Sequence, residues 1–120
     1  MDNYQHQAVI LKAMAHPIRL HILDLLRQEP ECVCHLSAVL GKPQPYISQQ
    51  LAILRTAGVI RDQREGTNIF YQLADADVAH QLEAALGPGR ASNGRHTHGG
   101  HQKLTTCNCP KCANTALPQG

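Results

Sequence analysis

Two cysteines one residue apart, Cys32-Val33-Cys34, are the side chains of this chain best suited to chemistry. Thiolates are soft ligands that select soft or borderline ions. The spacing of Val33, Leu36, Val39 and Leu40 predicts a helix over 31–40 that begins at this pair, and a helix N-terminus favours thiolate over thiol. Positions i and i+2 of an ideal helix point about 200° apart. Both sulfurs therefore reach one ion only where the helix start is distorted. A second cluster, Cys107-Asn108-Cys109-Pro110-Lys111-Cys112, places three thiolates where they can converge on an ion alone or join the first pair. His96, His98 and His101 precede it, and Zn(II) accepts mixed imidazole and thiolate ligands. No acid–base partner or oxyanion feature accompanies these cysteines, so the pattern points to a binder and not to an enzyme.

The N-terminus has no basic region followed by an apolar run, and no window has the apolar length of a membrane span. These features predict a cytoplasmic protein with no membrane partner. Five cysteines in that compartment are expected to be metal or redox ligands, not a disulfide framework. With 120 residues, one Phe, three Tyr and no Trp, the chain is expected to form one domain with an aliphatic core and an appendage. A formal net charge of +2 is too small to identify a nucleic-acid binder, but Arg55, Arg61 and Arg64 crowd together.

The elements that must position these groups follow from periodicity. Helical spacing covers 4–15, with Ala8, Leu11, Met14 and Ala15 as apolar positions. His16-Pro17 interrupts it and starts a second helix whose apolar face is Ile18, Ile22, Leu25 and Leu26. After the helix over 31–40, Gly41-Lys42-Pro43 turns the chain into a helix opened by Pro45 and closed by Gly58. Its apolar stripe is Ile47, Leu51 and Leu54, and across from that stripe lie Gln49, Ala52 and Thr56, with Ser48 at the flank. Gln50 sits beside the stripe and is expected to pack. A short helix, a turn and a helix with an outward polar face make a helix-turn-helix, whose second helix fits the DNA major groove. The period then changes: 59–65 and 69–73 read as the strands of a hairpin around Gly66-Thr67-Asn68, a wing. Asp75 to Leu86 is a last helix with Val78, Leu82, Ala85 and Leu86 as its apolar stripe. Residues 1–86 thus form a mainly α unit with a small β-hairpin, and 87–120, from Gly87-Pro88-Gly89 onward, a flexible tail.

This order of elements resembles the ArsR/SmtB family of bacterial metal-responsive repressors. The resemblance rests on Ala15-His16-Pro17-Ile18-Arg19-Leu20-His21-Ile22-Leu23, Glu31-Cys32-Val33-Cys34-His35-Leu36, the helix over 44–60, and Arg64 to Leu73. It implies a winged helix-turn-helix homodimer, joined by its first and last helices, that reads a roughly palindromic double-stranded operator. Carried over by position, base or groove contacts fall to Gln44, Tyr46, Ser48 and Gln49, and Arg61 and Arg64 of the wing meet phosphate or minor groove. A Cys-Val-Cys at this place implies an inducer such as As(III), Sb(III), Cd(II) or Pb(II). A pyramidal As(III) centre takes three thiolates. Cys32 and Cys34 supply two, and an arm of roughly 20 residues spans about 25 Å, enough to bring Cys107, Cys109 or Cys112 to them. Here His35 stands where many arsenic-sensing relatives carry an acidic residue. Two rival expectations are a winged-helix repressor that senses thiol oxidation, and a metal-sequestering protein that uses the tail.

Overall fold

A computed structural model describes residues 3–89. The described residues follow the order α1 (Asn3–Met14), α2 (Pro17–Leu26), β1 (Glu31–Cys32), α3 (Val33–Leu40), α4 (Gln44–Thr56), β2 (Ile60–Glu65), β3 (Asn68–Leu73) and α5 (Ala76–Leu86). The helix-turn-helix is α3–α4 and the wing is β2–β3, so the winged helix-turn-helix expected from periodicity is present.

Local chemistry sets the boundaries. His16 is extended, and its side chain accepts from the Ile18 N–H as the N-cap of α2, while Pro17 supplies the preset φ of a first helical position. Asp75 caps α5 in the same way, accepting from the Val78 N–H at 3.1 Å. Gly58, between α4 and β2, has φ +83, a conformation a side chain disfavours. It turns the chain sharply enough for Val59 and Ile60 to re-enter the core.

The core is aliphatic. Ile22, Leu23, Leu36, Ile47, Leu51, Leu54, Val59 and Leu82 are its fully enclosed side chains, and the predicted stripe of α4 lies at its centre. In α1 the buried residues are Ile10, Ala13 and Met14. Of the apolar positions expected there, Met14 alone is buried. Ala8, Leu11 and Ala15 face outward with Tyr4. In α5, Val78 and Leu82 are buried, whereas Ala85 and Leu86 are exposed. Gln81 of α5 donates to the Gln7 side chain of α1 at 3.1 Å, so the two helices meet at that point.

The sheet holds one strand more than the expected hairpin. Glu31–Cys32, anticipated as the first turn of a helix, form an antiparallel strand on the far edge of β3, and the order is β1-β3-β2. Glu31 stands opposite Tyr71 and Cys32 opposite Phe70. On the other side of β3, Tyr71 faces Asp62 and Phe70 faces Gln63. Two residues are too few to show the alternation that marks a strand, and the partner lies almost forty positions downstream.

Arg19 of α2 and Arg27 at its C-cap tie the helices together. Arg19 donates through Nε to the Ala13 carbonyl at 2.6 Å and through Nη1 to Oε1 of Gln50 at 2.9 Å. Gln50 is 7% exposed, so the expected packing role includes a buried hydrogen bond between α2 and α4. Arg27 is paired with Asp24 and donates to the Gly87 carbonyl at 2.8 Å, which holds the end of α5.

Two stability predictions follow from these contacts. Arg19→Ala leaves the Gln50 amide buried and unpaired, and is expected to cost about 1–3 kcal/mol in urea unfolding. Arg19→Met with Gln50→Leu should recover most of that loss. A single variant as stable as the parent contradicts the bridge. Burial, then the Asp62 carboxylate, raise the Tyr71 phenol above its ordinary 10.0, against a lowering pull from Arg55. Below about pH 10 the phenol is neutral in folded and unfolded chains alike. Above it the unfolded chain ionises first, so this contribution is whole below pH 10 and declines as pH rises through the folded value. Unfolding curves from about pH 8 to about pH 11 should show that decline, and Tyr71→Phe should reduce it.

Candidate DNA-reading face and thiol pair

On α4 the burial of Ile47, Gln50, Leu51 and Leu54 leaves the opposite face to solvent. Gln44, Ser48 and Gln49 are exposed there, as are Ala52, Ile53 and Thr56. Tyr46 differs from the other three expected contact residues: it is half-buried and packs against the core. Ile53, at 43% exposed, adds an apolar element to the outer face of the helix.

Arg61 and Arg64 are both exposed on β2. Three positions apart on a strand, they project from opposite faces. Arg64 stands near the tip, opposite Ile69, and Arg61 near the base, opposite Gln72. The third member of the basic cluster is spent differently. Arg55, in the last turn of α4, is paired with Asp62 of the wing at 3.1 Å. An exposed pair of this kind contributes about 0.2–1 kcal/mol, so its effect is on the angle between wing and helix more than on stability. Sequence pattern offered the signal in Asp62, but pairing it with Arg55 required the hairpin to fold back on α4.

The Cys32–Cys34 geometry corrects the helical expectation. Cys32 is the last residue of β1 and the N-cap of α3, extended at φ −97, ψ 164. Only Cys34 lies within the helix. The helical divergence of about 200° therefore does not apply, and the two Sγ atoms stand 3.3 Å apart. Cys32 is 4% exposed and Cys34 half-buried. Beside them Glu31, 5% exposed, has its carboxylate 3.6 Å from Nε2 of His35, within ion-pairing distance once the imidazole is protonated. Among the described residues no group of three His, Cys, Asp or Glu side chains is arranged to hold a metal. Two sulfurs are thus in place, that of Cys34 engaged in a disulfide, so both are available as thiolates only in the reduced protein. Cys107, Cys109 and Cys112, like His96, His98 and His101, lie outside the described residues.

Comparison with known proteins gives the family. Residues 16–62, from the N-cap of α2 to the first strand of the wing, match the model for the bacterial regulatory protein, arsR family. The chain is 44% identical over 71 residues to the HTH-type transcriptional repressor SmtB of Mycobacterium tuberculosis, covering 59% of this chain and only 53% of that repressor's length. Among solved structures, HlyU from Vibrio cholerae superposes with a TM-score of 0.67 at 36% identity, over 70% of this chain and 91% of HlyU. The homodimeric winged helix-turn-helix DNA-binding domain of Mb0332 from Mycobacterium bovis, a possible ArsR-family transcriptional regulator, superposes with a TM-score of 0.66 at 29% identity, over 83% and 89%. With the same order of elements, the same fold and these relatives, the chain belongs to the ArsR family of bacterial regulatory proteins.

Proposed function

We propose that this protein is a homodimeric transcriptional repressor that holds operator DNA in its ion-free form. It releases the DNA when As(III), or a similar thiophilic ion such as Sb(III), binds Cys32 and Cys34. The observation that carries this reading is the 3.3 Å separation of the two sulfurs at the joint between β1 and α3. With metal–thiolate bonds of about 2.3 Å, that separation makes an angle near 90° at a shared ion. This suits a pyramidal three-thiolate centre better than the wider angle of a tetrahedral one. Cys107, Cys109 and Cys112 are the donors assigned to complete it, with Cd(II), Pb(II) and Zn(II) as weaker candidates. Residues 1–86 are then the DNA-binding and dimerising domain and 87–120 the ligand arm.

DNA reading falls to the exposed Gln44, Ser48 and Gln49, with the Tyr46 hydroxyl beside them. Their side chains offer the donors and acceptors that base edges match. Arg61 and Arg64 serve the phosphates or the minor groove. The outward apolar residues of α1 (Tyr4, Ala8, Leu11 and Ala15), next to Ala85 and Leu86 of α5, supply the dimer contact. They are among the apolar positions of these two helices that the monomer's own core leaves uncovered.

The same sulfur separation favours one other reading. In the reduced protein, hydrogen peroxide takes two electrons and both thiol protons and leaves as two waters while a Cys32–Cys34 disulfide of about 2.05 Å forms, with a similar effect on DNA. Cys32→Ser and Cys34→Ser should each retain operator affinity within about twofold, and each should lose arsenite binding by tenfold or more, since one thiolate of a chelate is gone. Unchanged arsenite affinity in both variants rejects the proposed site. Induction by peroxide alone selects the redox reading. Gln49→Ala should lower specific operator affinity about tenfold, the scale of one base contact, while Arg64→Ala should reduce the slope of log K against log salt by about 1. Operator footprinting and salt titrations that leave both values unchanged contradict the assigned DNA-reading face.

A further inference from the structure

Cys32 is built into the same sheet as the wing. Residues directly opposite on antiparallel strands share a face and touch. One row of the sheet is therefore Cys32, Phe70 and Gln63, and the next is Glu31, Tyr71 and Asp62. The second row continues through Asp62 to Arg55 on α4, 3.1 Å away. A displacement of β1 thus bears on the wing across both rows, and on the DNA-reading helix through the Arg55 pair.

The joint itself is weak. β1 is two residues long and lies at the edge of the sheet, so two residue pairs, Glu31–Tyr71 and Cys32–Phe70, join it to β3. It is also closed to an incoming donor. Cys32 is 4% exposed, and its register partner across the strands is Phe70. A third thiolate reaches an ion on Cys32 only if that sulfur is uncovered, and the extended backbone of Cys32 cannot swing out while it stays paired with Phe70. Ion capture and β1–β3 pairing therefore compete for one residue. Once β1 leaves, the wing has lost the strand along one edge, and what sets its angle to α4 includes an exposed ion pair that contributes little by itself.

Resting on the ion-sensing reading above, we infer that the two-residue bridge between β1 and β3 is the switch. It is paired in the form that holds DNA and open in the form that holds the ion, so the signal reaches DNA through the wing. Phe70 is the residue that holds the switch closed. By linkage, whatever loosens the bridge must weaken DNA binding and strengthen ion binding together.

Hydrogen exchange of the full-length reduced protein, with and without saturating arsenite, tests this directly. Amides of Asn68–Leu73 should exchange at least about tenfold faster in the loaded protein. Full loading and DNA release with unchanged exchange in β3 overturns the inference and leaves the sensor reading standing. Failure of the protein to load arsenite at all overturns both. Phe70→Leu, which keeps an apolar side chain of similar reach, should lower operator affinity and raise arsenite affinity, each about fivefold. A purely structural defect lowers DNA affinity without raising affinity for the ion, and that outcome also overturns the inference.

Discussion

The extended backbone at Cys32 is the constraint on which the site depends. At that residue a strand becomes a helix. Because the change falls between Cys32 and Cys34, the two sulfurs meet instead of diverging. The same residue is paired with Phe70 in the sheet and begins the helix that positions α4. One backbone conformation thus sets the distance between the thiols, the third strand of the sheet and the start of the DNA-reading motif. In an ordinary helix start the pair would be two small apolar side chains facing different ways.

Around that joint the rest of the domain supplies rigidity where reading DNA needs it. The stripe of α4 is at the centre of the aliphatic core, and its one buried polar residue, Gln50, is held by Arg19. The helix therefore presents its outer face on a fixed base. The wing is less firmly held: its strand β2 is exposed along most of its length and meets α4 through Arg55 and Asp62. A fixed helix beside a less firmly held wing suits the operator recognition and release proposed for this chain.

Much of this was legible in the residues, because it depends on local periodicity and turn chemistry. Ile47, Leu51 and Leu54 announce the buried side of α4. Pro17, Pro45 and Gly58 mark helix starts and the exit to the wing, and the β-branched and aromatic run near Phe70 marks the return strand. What stayed hidden was non-local. β1 has no pattern of its own and exists only because β3 is there to pair with it, so the sulfurs were expected to diverge. The outward stripe of α1 misled in a similar way: its residues are apolar, but the core takes Ile10 and Ala13 instead of Ala8 and Leu11. Arg55 looked like part of a basic patch until the hairpin brought Asp62 to it. Of the proposed ligands, Cys32 and Cys34 are brought together, while Cys107, Cys109 and Cys112 lie outside the described residues.

The central claim is that occupation of the thiol pair governs the grip on DNA. Its most direct test is fluorescence anisotropy of labelled promoter DNA bound by the reduced full-length protein, with arsenite added to the preformed complex. The account predicts that anisotropy falls to the value of free DNA as arsenite reaches about one ion per subunit, and recovers when a competing dithiol removes the ion. An anisotropy that stays at its bound value while the protein is fully loaded with arsenite would contradict it.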